Sequence, residues 1–373
     1  MERQEEKNFQ GEIILSPRFN VRLDVAITFN VKPESETFLD EVPPVQNSPH
    51  HELQPAVDTY AEWDTWETVN AVKDAIAEIH NVTLVEANND AYLKLKELKP
   101  DIVFNFAEGL VGVNRESHMP AILEMLQIPY SGSDALTLGI CLDKSRAKEI
   151  LTYHNIPNAK FLVAHRAEDI KNVRFDFPLI VKPISEGSSK GIFSSSLVKN
   201  TKELEDEITR ILNSYNQPAL IEEFLSGREF TVAILGNGDD AQILPIIEIR
   251  YEDFPQDVVP LYSYEAKWIL DTKENNFDVF ECPAKLDKQL EEKIKNTVLR
   301  TYNVLKCKDW SRIDVRLDKH GVPNIIEINP LPGIMPDPNE NSSFPKAARA
   351  AGMNYNQLIQ SALYHAAKRY NLV

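Results

Sequence analysis

Polar and apolar residues alternate in the segment 311–333, SRIDVRLDKHGVPNIIEINPLPG, and the polar ones are of types that bind metal ions and phosphate. The turn-like letters DKHG separate two alternating runs, a pattern that predicts a β-hairpin. Successive side chains of a strand point to opposite faces, so the polar residues should share one face of this hairpin. They are Arg312, Asp314, Arg316, Glu327 and Asn329, and Ile326 and Ile328 are expected on the opposite face.

The oxygen-bearing candidates in this hairpin, Asp314, Glu327 and Asn329, suit a magnesium ion. Mg²⁺ takes hard oxygen ligands and keeps positions for water and phosphate, and the guanidinium of Arg312 suits a phosphate or an oxyanion. The alternative is a solvated hairpin face with ordinary cross-strand charge pairs. Three oxygen ligands beside an arginine, followed by Pro-Gly, favour a metal and phosphate site.

A strand that leads into a loop of small residues, LIVKPISEGSSKG at 179–191, is a candidate phosphate site. Small residues let backbone N–H groups approach phosphate oxygens closely. The segment lacks the GK[ST] ending of a Walker A motif, and an ordinary flexible hairpin is the alternative. Lys182 favours phosphate, because an ammonium group within an apolar run is costly unless an anion meets it.

Acidic residues also lie within or beside apolar runs in the segment 220–235, LIEEFLSGREFTVAIL. Glu229 could accept hydrogen bonds from ribose hydroxyls, while Glu222 and Glu223 are further carboxylates of the same segment. Solubility charges on an edge strand explain these residues equally well. Lys144, at the start of a predicted helix, could reach a phosphate, although taken alone it reads as a surface lysine.

These groups need a scaffold, and hydrophobic periodicity predicts one with three parts in series. The first part should contain a parallel sheet, because strands alternate with helices. Its predicted strands are 23–29, 82–85 and 102–106, and its predicted helices are 65–79 and 91–98. Ligands bind at the carboxyl ends of such strands, which here include Asn105 and Glu108. The Pro-rich, acidic stretch 32–64 is predicted to be a long surface loop.

The second part is predicted to be a small α+β domain, and the third a domain of strands and long helices. The predicted elements are a helix at 143–153, strands at 161–164 and 179–182, and helices at 202–212, 286–305 and 355–370. The predicted boundaries are a polar extension at 1–20, then domains at 21–135, 136–225 and 226–373. The expected fold class is α/β with α+β central and C-terminal parts.

Composition narrows the range of functions. The chain has 373 residues, and 57 Asp and Glu against 40 Lys and Arg give it a net charge of −17. Nucleic-acid backbones need clustered cations, so no nucleic-acid partner is expected and small molecules are expected instead. Three cysteines without CxxC spacing support neither a disulfide framework nor a zinc site. The charged N-terminus and the absence of long apolar runs predict a cytoplasmic protein with no membrane segment.

Taken together, these segments resemble the ATP-grasp superfamily and, within it, the D-alanine–D-alanine ligase family. The blocks that carry the resemblance occur in family order and, with the stretches between them, span about two-thirds of the chain. They are PYSGSDALTLGICLDKSRAK at 129–148, IVKPISEGSSKG at 180–191, IEEFLSGREFTVAILG at 221–236, YEAKW at 264–268, CKDWSRIDVRLDKHG at 307–321, EINPLPG at 327–333 and SFPKAARAAGM at 343–353.

The resemblance implies an ATP-grasp fold of three domains, with nucleotide bound between the central and C-terminal ones. It assigns Lys144 and Lys182 to the ATP phosphates and Glu229 to the ribose. The covering loop would be Glu186, Gly187, Ser188, Ser189 and Gly191, and the adenine linker Glu222, Glu223, Phe224 and Leu225. Asp314, Glu327 and Asn329 would hold two Mg²⁺ ions, or Mn²⁺.

The reaction implied by the resemblance joins a carboxylate to an amine through an acylphosphate. Arg312 and the backbone N–H of Gly333 would stabilise the tetrahedral oxyanion, and Ser188 matches the serine of a family triad. Lys267 and Ser343 match positions that bind the carboxylate of the second amino acid. Trp268 and Phe344 occupy further substrate positions, and the family commonly forms homodimers.

Departures from the family pattern concentrate around the amino acids. FNVKPESE at 29–36 replaces a Gly-rich loop with a Glu, so the amine-binding residue is not identifiable. Trp268 replaces a tyrosine of the family, and Phe344 replaces a leucine. The letters FNFAEGLVGVNRESH at 104–118 replace a different sequence block of the family, and the segment 333–343 is longer than usual. Because the residues matched to nucleotide binding are intact, we predict that the ligase chemistry is retained and that the substrate is changed. The alternatives are a genuine D-alanine–D-alanine ligase of wall synthesis, a non-catalytic ATP-binding regulator, and another type of ATP-grasp enzyme. No motif in the sequence supports the last of these.

Overall fold

A parallel sheet occupies the first part of the chain, as predicted. The computed structural model describes residues 19–33, 58, 60–109, 111–252, 259–267, 279–340 and 342–373. The sheet has the order β2-β1-β3, built from β1 (Asp24–Phe29), β2 (Asn81–Glu86) and β3 (Ile102–Asn105). The helices of this part are α1 (Trp66–Ala77), α2 (Ala91–Leu98) and α3 (His118–Leu126).

The apolar stripe of α1 explains how this helix packs onto the sheet. Thr65 caps it by accepting a hydrogen bond from the backbone N–H of Thr68, and its buried face includes Val69, Val72 and Ile76. The loop predicted at 32–64 lies mostly outside the described residues. Its described end is not a surface loop, because the N–H of Lys32 donates to the carbonyl of Asp64 at 2.8 Å and Asp58 is buried.

The second sheet is antiparallel, with the order β4-β7-β5-β6. Its strands are β4 (Phe161–Ala164), β5 (Leu179–Pro183), β6 (Leu197–Val198) and β7 (Ala219–Glu223), and the neighbouring helices are α4 (Ala135–Leu142), α5 (Lys144–Tyr153) and α6 (Thr201–Tyr215). Leu204, Ile208 and Ile211 of α6 pack on the apolar side of this sheet. The predicted strands and helices of this part are confirmed.

The third sheet carries the hairpin and has the order β11-β10-β8-β12-β13, with β9 paired to β8. Its strands are β8 (Glu229–Leu235), β9 (Gln242–Ile243), β10 (Ile247–Ile249), β11 (Phe280–Glu281), β12 (Trp310–Leu317) and β13 (Pro323–Asn329), and its helices are α7 (Lys288–Val304), α8 (Ser343–Ala350) and α9 (Tyr355–Arg369). The hairpin and both long helices are confirmed. The domain boundaries at 135 and 225 stay a prediction.

One apolar core joins the first and third sheets, because residues of β1 and α1 cluster with residues of α8 and α9. The side-chain amide of Gln360 on α9 donates to the carbonyl of Ala75 on α1 at 2.8 Å. Cys141 and Cys307 are free thiols and are buried. Within the described ranges, no helix combines the length and the apolar character that a membrane span requires.

Candidate active site

A cleft between the second and third sheets collects most of the residues that the sequence singled out. Its empty volume, counted with the open mouth, is about 1170 Å³. The predicted residues that line it are Lys182, Ser188, Ser189, Glu222, Glu223, Phe224, Leu225, Glu229, Lys267, Arg312, Asp314, Glu327, Gly333 and Ser343. Lys144, Glu186, Gly187 and Asn329 line an adjoining cleft, which shares Ser188, Lys267, Arg312, Glu327 and Gly333 with the first.

At the bottom of the first cleft, two buried lysines share one carboxylate. The ammonium of Lys182 lies 2.6 Å from the carboxylate of Glu222, which also forms an ion pair with Lys148. Burial alone would raise the pKa of Glu222, but the two ammonium groups lower it. Glu222 lies in β7, between β4 and β5, so the explanation of this residue as an edge-strand solubility charge is wrong.

Lys144 is buried, so its interpretation as a surface lysine is wrong. Its side chain is only 6% exposed, forms an ion pair with Glu327 at 3.0 Å and donates to the backbone carbonyl of Glu186. Asp143 caps α5 by accepting hydrogen bonds from the first backbone N–H groups, which fixes the start of the helix beside the cleft. The lysine therefore links α5, the loop after β5 and the hairpin.

The hairpin presents its polar residues toward the clefts, with one difference from the prediction. Asp314 pairs with Glu327 across the strands, but Val315 pairs with Ile325, so the register shifts at Ile326. This β-bulge turns Ile326 to the same side as Glu327, and the expectation that Ile326 faces away is wrong. A strict two-residue alternation cannot foresee an extra residue in one strand.

Arg312 and Asp314 are bound to each other inside the cleft. The guanidinium donates to both carboxylate oxygens, from Nε at 3.2 Å and from Nη2 at 3.0 Å. The hydroxyl of Thr231 and the amide of Asn329 also donate to Asp314, at 2.6 and 3.3 Å. Burial acts to raise the pKa of Glu327, but Lys144, Lys182 and Arg312 outweigh it and lower that pKa to about 2.

The oxygen ligands of the hairpin are too few to coordinate a hard cation by themselves. In the described part of the chain, no group of three His, Cys, Asp or Glu residues is arranged to hold a metal ion. Asp314 and Glu327 supply two carboxylates and Asn329 one amide oxygen, so water or phosphate oxygens would have to complete the shell. This is the way Mg²⁺ is bound at phosphate-transfer sites, and the residues therefore fit it.

At the opposite end of the first cleft, Glu229 is buried among an arginine and two aromatic rings. Arg316 Nη1 lies 2.8 Å from the Glu229 carboxylate, and the hydroxyl of Tyr251 donates to it at 2.8 Å. The guanidinium of Arg316 lies 4.6 Å from the centre of the Phe224 ring. Burial raises the pKa of Glu229. Its place in the central strand β8 excludes an edge-strand role for this residue too.

The loop after β5 has the backbone conformation of an anion-binding turn. Ser188 and Ser189 have φ values of 51° and 59°, and Gly191 has a φ of 74°. Two carboxylates that the sequence analysis missed hold this loop, because the N–H of Gly187 donates to Glu62 at 2.6 Å and that of Gly191 to Asp58 at 2.8 Å. Both belong to the segment predicted to be a loop, and their long distance along the chain left no local signal.

Lys267 lines both clefts, and its burial lowers the pKa of its ammonium group to about 8. Ser343 begins α8 and faces the same cleft. The side chain of Phe344 differs from the prediction: it is fully buried in the core, where its ring packs edge-on against Trp310 at 6.0 Å, and cannot contact a substrate. Trp268 lies outside the described residues.

Carboxylates that the sequence analysis did not assign line the far wall of the adjoining cleft: Glu62, Asp64, Glu108 and Glu116. Glu108, noted only as a residue near a strand end, follows β3 at the carboxyl edge of the parallel sheet. Burial raises the pKa of Asp64 to about 7 and that of Glu116 to about 7, and it raises the pKa of Glu108 well above its usual range.

Comparisons with known proteins agree with this geometry. Residues 150–364 match the family model described as D-ala D-ala ligase C-terminus. A D-alanine–D-alanine ligase of Haemophilus ducreyi is 33% identical over 298 residues, which cover 79% of this chain and 90% of that protein. The chain belongs to the D-alanine–D-alanine ligase family. The predicted membership, and with it the interpretation as a ligase-like protein that forms carbon–nitrogen bonds, is confirmed.

Other similar proteins of this family include one that is uncharacterised. The protein y4sG of Sinorhizobium fredii is 32% identical over 318 residues, covering 83% of this chain and 90% of that protein. Among solved structures, the D-alanine–D-alanine ligase of Bacillus anthracis complexed with ATP has a TM-score of 0.65 at 22% identity, covering 94% of this chain and 99% of that one. The VanG D-Ala:D-Ser ligase of Enterococcus faecalis has a TM-score of 0.65 at 19% identity, covering 93% and 100%. These likenesses confirm the ATP-grasp fold.

Proposed function

We propose that this member of the D-alanine–D-alanine ligase family uses ATP to join a carboxylic acid to an amine through an acylphosphate, with a substrate other than D-alanine. The observation that carries the proposal is the position of Arg312. Its guanidinium lies beside Asp314 and Glu327 in a cleft that also contains Lys182 and Gly333. A protein that only binds nucleotide has no need of an arginine placed for a developing oxyanion.

ATP is the nucleotide that this cleft would hold. Lys144 and Lys182 would neutralise its phosphates, and the 186–191 loop would cover them. The linker Glu222, Glu223, Phe224 and Leu225 would contact the adenine, and Glu229 the ribose. Asp314, Glu327 and Asn329 would hold Mg²⁺, which supplies charge neutralisation at the phosphates when it is bound.

The proposed reaction has two displacement steps. A carboxylate oxygen of the first substrate attacks the γ-phosphorus of ATP, the bond to the bridging oxygen breaks, and ADP leaves. The neutral amine of the second substrate then attacks the acyl carbon, a carbon–nitrogen bond forms, phosphate leaves, and the amine loses a proton to solvent. Arg312 and the N–H of Gly333 would stabilise the oxyanion, while Lys267, Ser188 and Ser343 would position the reacting amino acids.

The changed substrate is supported by the residues matched to amino-acid binding. The letters FNVKPESE after β1 contain no glycine, so the amine-binding glutamate of the family is not identifiable there, and Trp268 replaces the usual tyrosine. Glu108 and Glu116 instead face the adjoining cleft from a block that departs from the family pattern. A genuine D-alanine–D-alanine ligase is the second candidate, favoured by the intact nucleotide side.

ADP and phosphate release from MgATP tests the proposal, measured with D- and L-amino acids singly and in pairs and with mass detection of products. Release that requires a pair other than D-alanine, with one amide formed per ADP, is expected. Robust release with D-alanine alone would contradict the changed substrate and support wall synthesis. Tight ATP binding without release by any pair would contradict the ligase activity and favour a regulator.

Cytoplasmic location, a homodimer and the absence of a nucleic-acid partner complete the proposal. The net charge of −17 supports the last of these, because a nucleic-acid backbone repels an acidic surface. Sedimentation velocity of the purified chain tests the dimer, and a species of monomer mass at micromolar concentration would contradict it.

A further inference from the structure

Two carboxylates that line the adjoining cleft, those of Glu108 and Glu116, make no hydrogen bond or ion pair with the residues that the structure describes. Glu116 is buried, with only 8% of its surface exposed, and Glu108 is half-buried. Burial raises the pKa of both groups, and nearby acids raise it further, Glu116 and Glu62 for Glu108 and Glu62 for Glu116, while Arg115 acts in the opposite direction. Two acids in such a place can be satisfied by a cation from outside the protein.

The other carboxylates of this cleft are already neutralised. Glu62 pairs with Arg115 at 2.7 Å, Glu186 with Lys190 at 2.9 Å, and Glu327 with Lys144 at 3.0 Å. The ammonium group of Lys32 acts to lower the pKa of Asp64. Glu108 and Glu116 therefore remain as two acidic groups without an ion pair in the described part of the chain, and their surroundings also include Glu62, Asp64, Arg115, Lys144 and Glu327.

The fold holds these two acids rigidly at the cleft. Gly109 follows Glu108 with a φ of 69°, and a Cβ there would lie 2.8 Å from the carbonyl oxygen of Arg115. The N–H of Gly109 donates to the side-chain oxygen of Asn30 at 2.9 Å, and the indole N–H of Trp63 donates to its carbonyl at 2.9 Å. The close approach of two backbone segments therefore positions the backbone next to both glutamates.

The same cleft also contains positively charged side chains. Arg312 and Lys267 line it together with Gly333, where the proposed reaction activates a carboxylate. A substrate that complements both sets of charges carries one negative group and two positive groups. We propose that the carboxyl-activated substrate is a basic amino acid, with its ammonium group and its cationic side chain held by Glu108 and Glu116. This inference rests on the proposed function, because that function decides which substrate reacts through its carboxylate.

Titration calorimetry of the full chain tests this inference, in the presence of Mg²⁺ and a non-hydrolysable ATP analogue. The probes are D- and L-lysine against D- and L-norleucine, which have similar length but differ by the side-chain charge. Lysine of one chirality should bind at least about tenfold more tightly than its norleucine counterpart. Equal affinities, or no binding of lysine, would overturn the proposal.

Variants show whether the preference comes from these two acids. Glu108→Gln and Glu116→Gln should each reduce the lysine preference at least about fivefold without lowering the melting temperature, because neutralising one acid relieves a like-charge repulsion. The matched control is Glu97→Gln, on the exposed side of α2, which should keep the preference. A preference that survives both cleft variants would overturn the assignment.

The two proposals can fail separately. ADP release that needs a neutral amino acid, with lysine inert, would refute the basic substrate and leave the ligase intact. Lysine binding that depends on Glu108 and Glu116, without ADP release by any pair, would refute the ligase and leave the cation site.

Discussion

Replacement of Arg312 by alanine gives the sharpest test of how the cleft would stabilise a transition state. The guanidinium is 21% exposed and uses Nε and Nη2 on Asp314, which leaves Nη1 for a ligand. Removal of one preorganised donor at such a site costs about 10²–10³ in kcat, or about 2.7–4 kcal/mol of transition-state stabilisation. The KM for ATP should stay within about threefold, because Lys144 and Lys182 remain in place.

Two further variants separate the charge of Arg312 from its shape. Arg312→Lys keeps a positive charge but loses the planar fork, so it should recover part of the lost kcat without restoring it. Arg250→Ala removes an arginine that is 38% exposed and pairs with Glu252, and it should leave kcat unchanged. The assay is initial ADP release at saturating MgATP, with the amide product quantified by mass spectrometry.

A kcat of Arg312→Ala within about threefold of the wild type would refute the oxyanion role. An increase in the KM for ATP at constant kcat would show that Arg312 binds the ground state instead. Loss of kcat in Arg250→Ala as well would point to a general effect of charge on the assay.

Three other perturbations test different parts of the site. Glu222→Gln leaves Lys182 and Lys148 buried without a carboxylate. The free energy of unfolding, measured by thermal unfolding, should fall by about 3–5 kcal/mol, and MgATP should restore part of it. An unchanged melting temperature would contradict the buried pairing. Because the pKa of Lys267 is about 8, its ammonium group is charged below that pH and neutral above it. The KM of the carboxylate-bearing substrate should therefore rise about tenfold from pH 7 to pH 9, and Lys267→Arg should abolish the rise. Gly191→Ala should weaken ATP binding measured by calorimetry, because its φ is 74° and a Cβ would lie 2.3 Å from a proline ring, whereas Gly238→Ala, at a φ of 54° in open space, should not.

The local parts of this site were predictable from the sequence. The alternation along 311–333 identified the hairpin and the shared face of Arg312 and Asp314, because a strand has a fixed two-residue period. The same rule failed at Ile326, where a bulge adds one residue. The interpretation of Lys144 as a surface lysine was wrong, since a helix start gives no information on burial. Its assignment to the ATP phosphates, which came from the family resemblance, stays a prediction.

Long-range contacts were beyond local patterns. Asp58 and Glu62 hold the loop after β5 from more than a hundred residues away, and a Pro-rich acidic stretch gave no periodicity to reveal this. Glu108 and Glu116 were visible as letters in a block that departs from the family. Their convergence on one cleft depends on the turn at Gly109, which only the packed backbone defines.

Transfer of oxygen-18 from substrate to phosphate tests the central claim most directly. The substrate pair identified by ADP release would be incubated with MgATP, with both carboxylate oxygens of the activated acid labelled. An acylphosphate requires that one carboxylate oxygen leave with the phosphate, so phosphate carrying one heavy oxygen should form in step with the amide. Unlabelled phosphate formed in step with the amide would contradict the account, because the amide keeps only one heavy oxygen and the other must then have left by a different route.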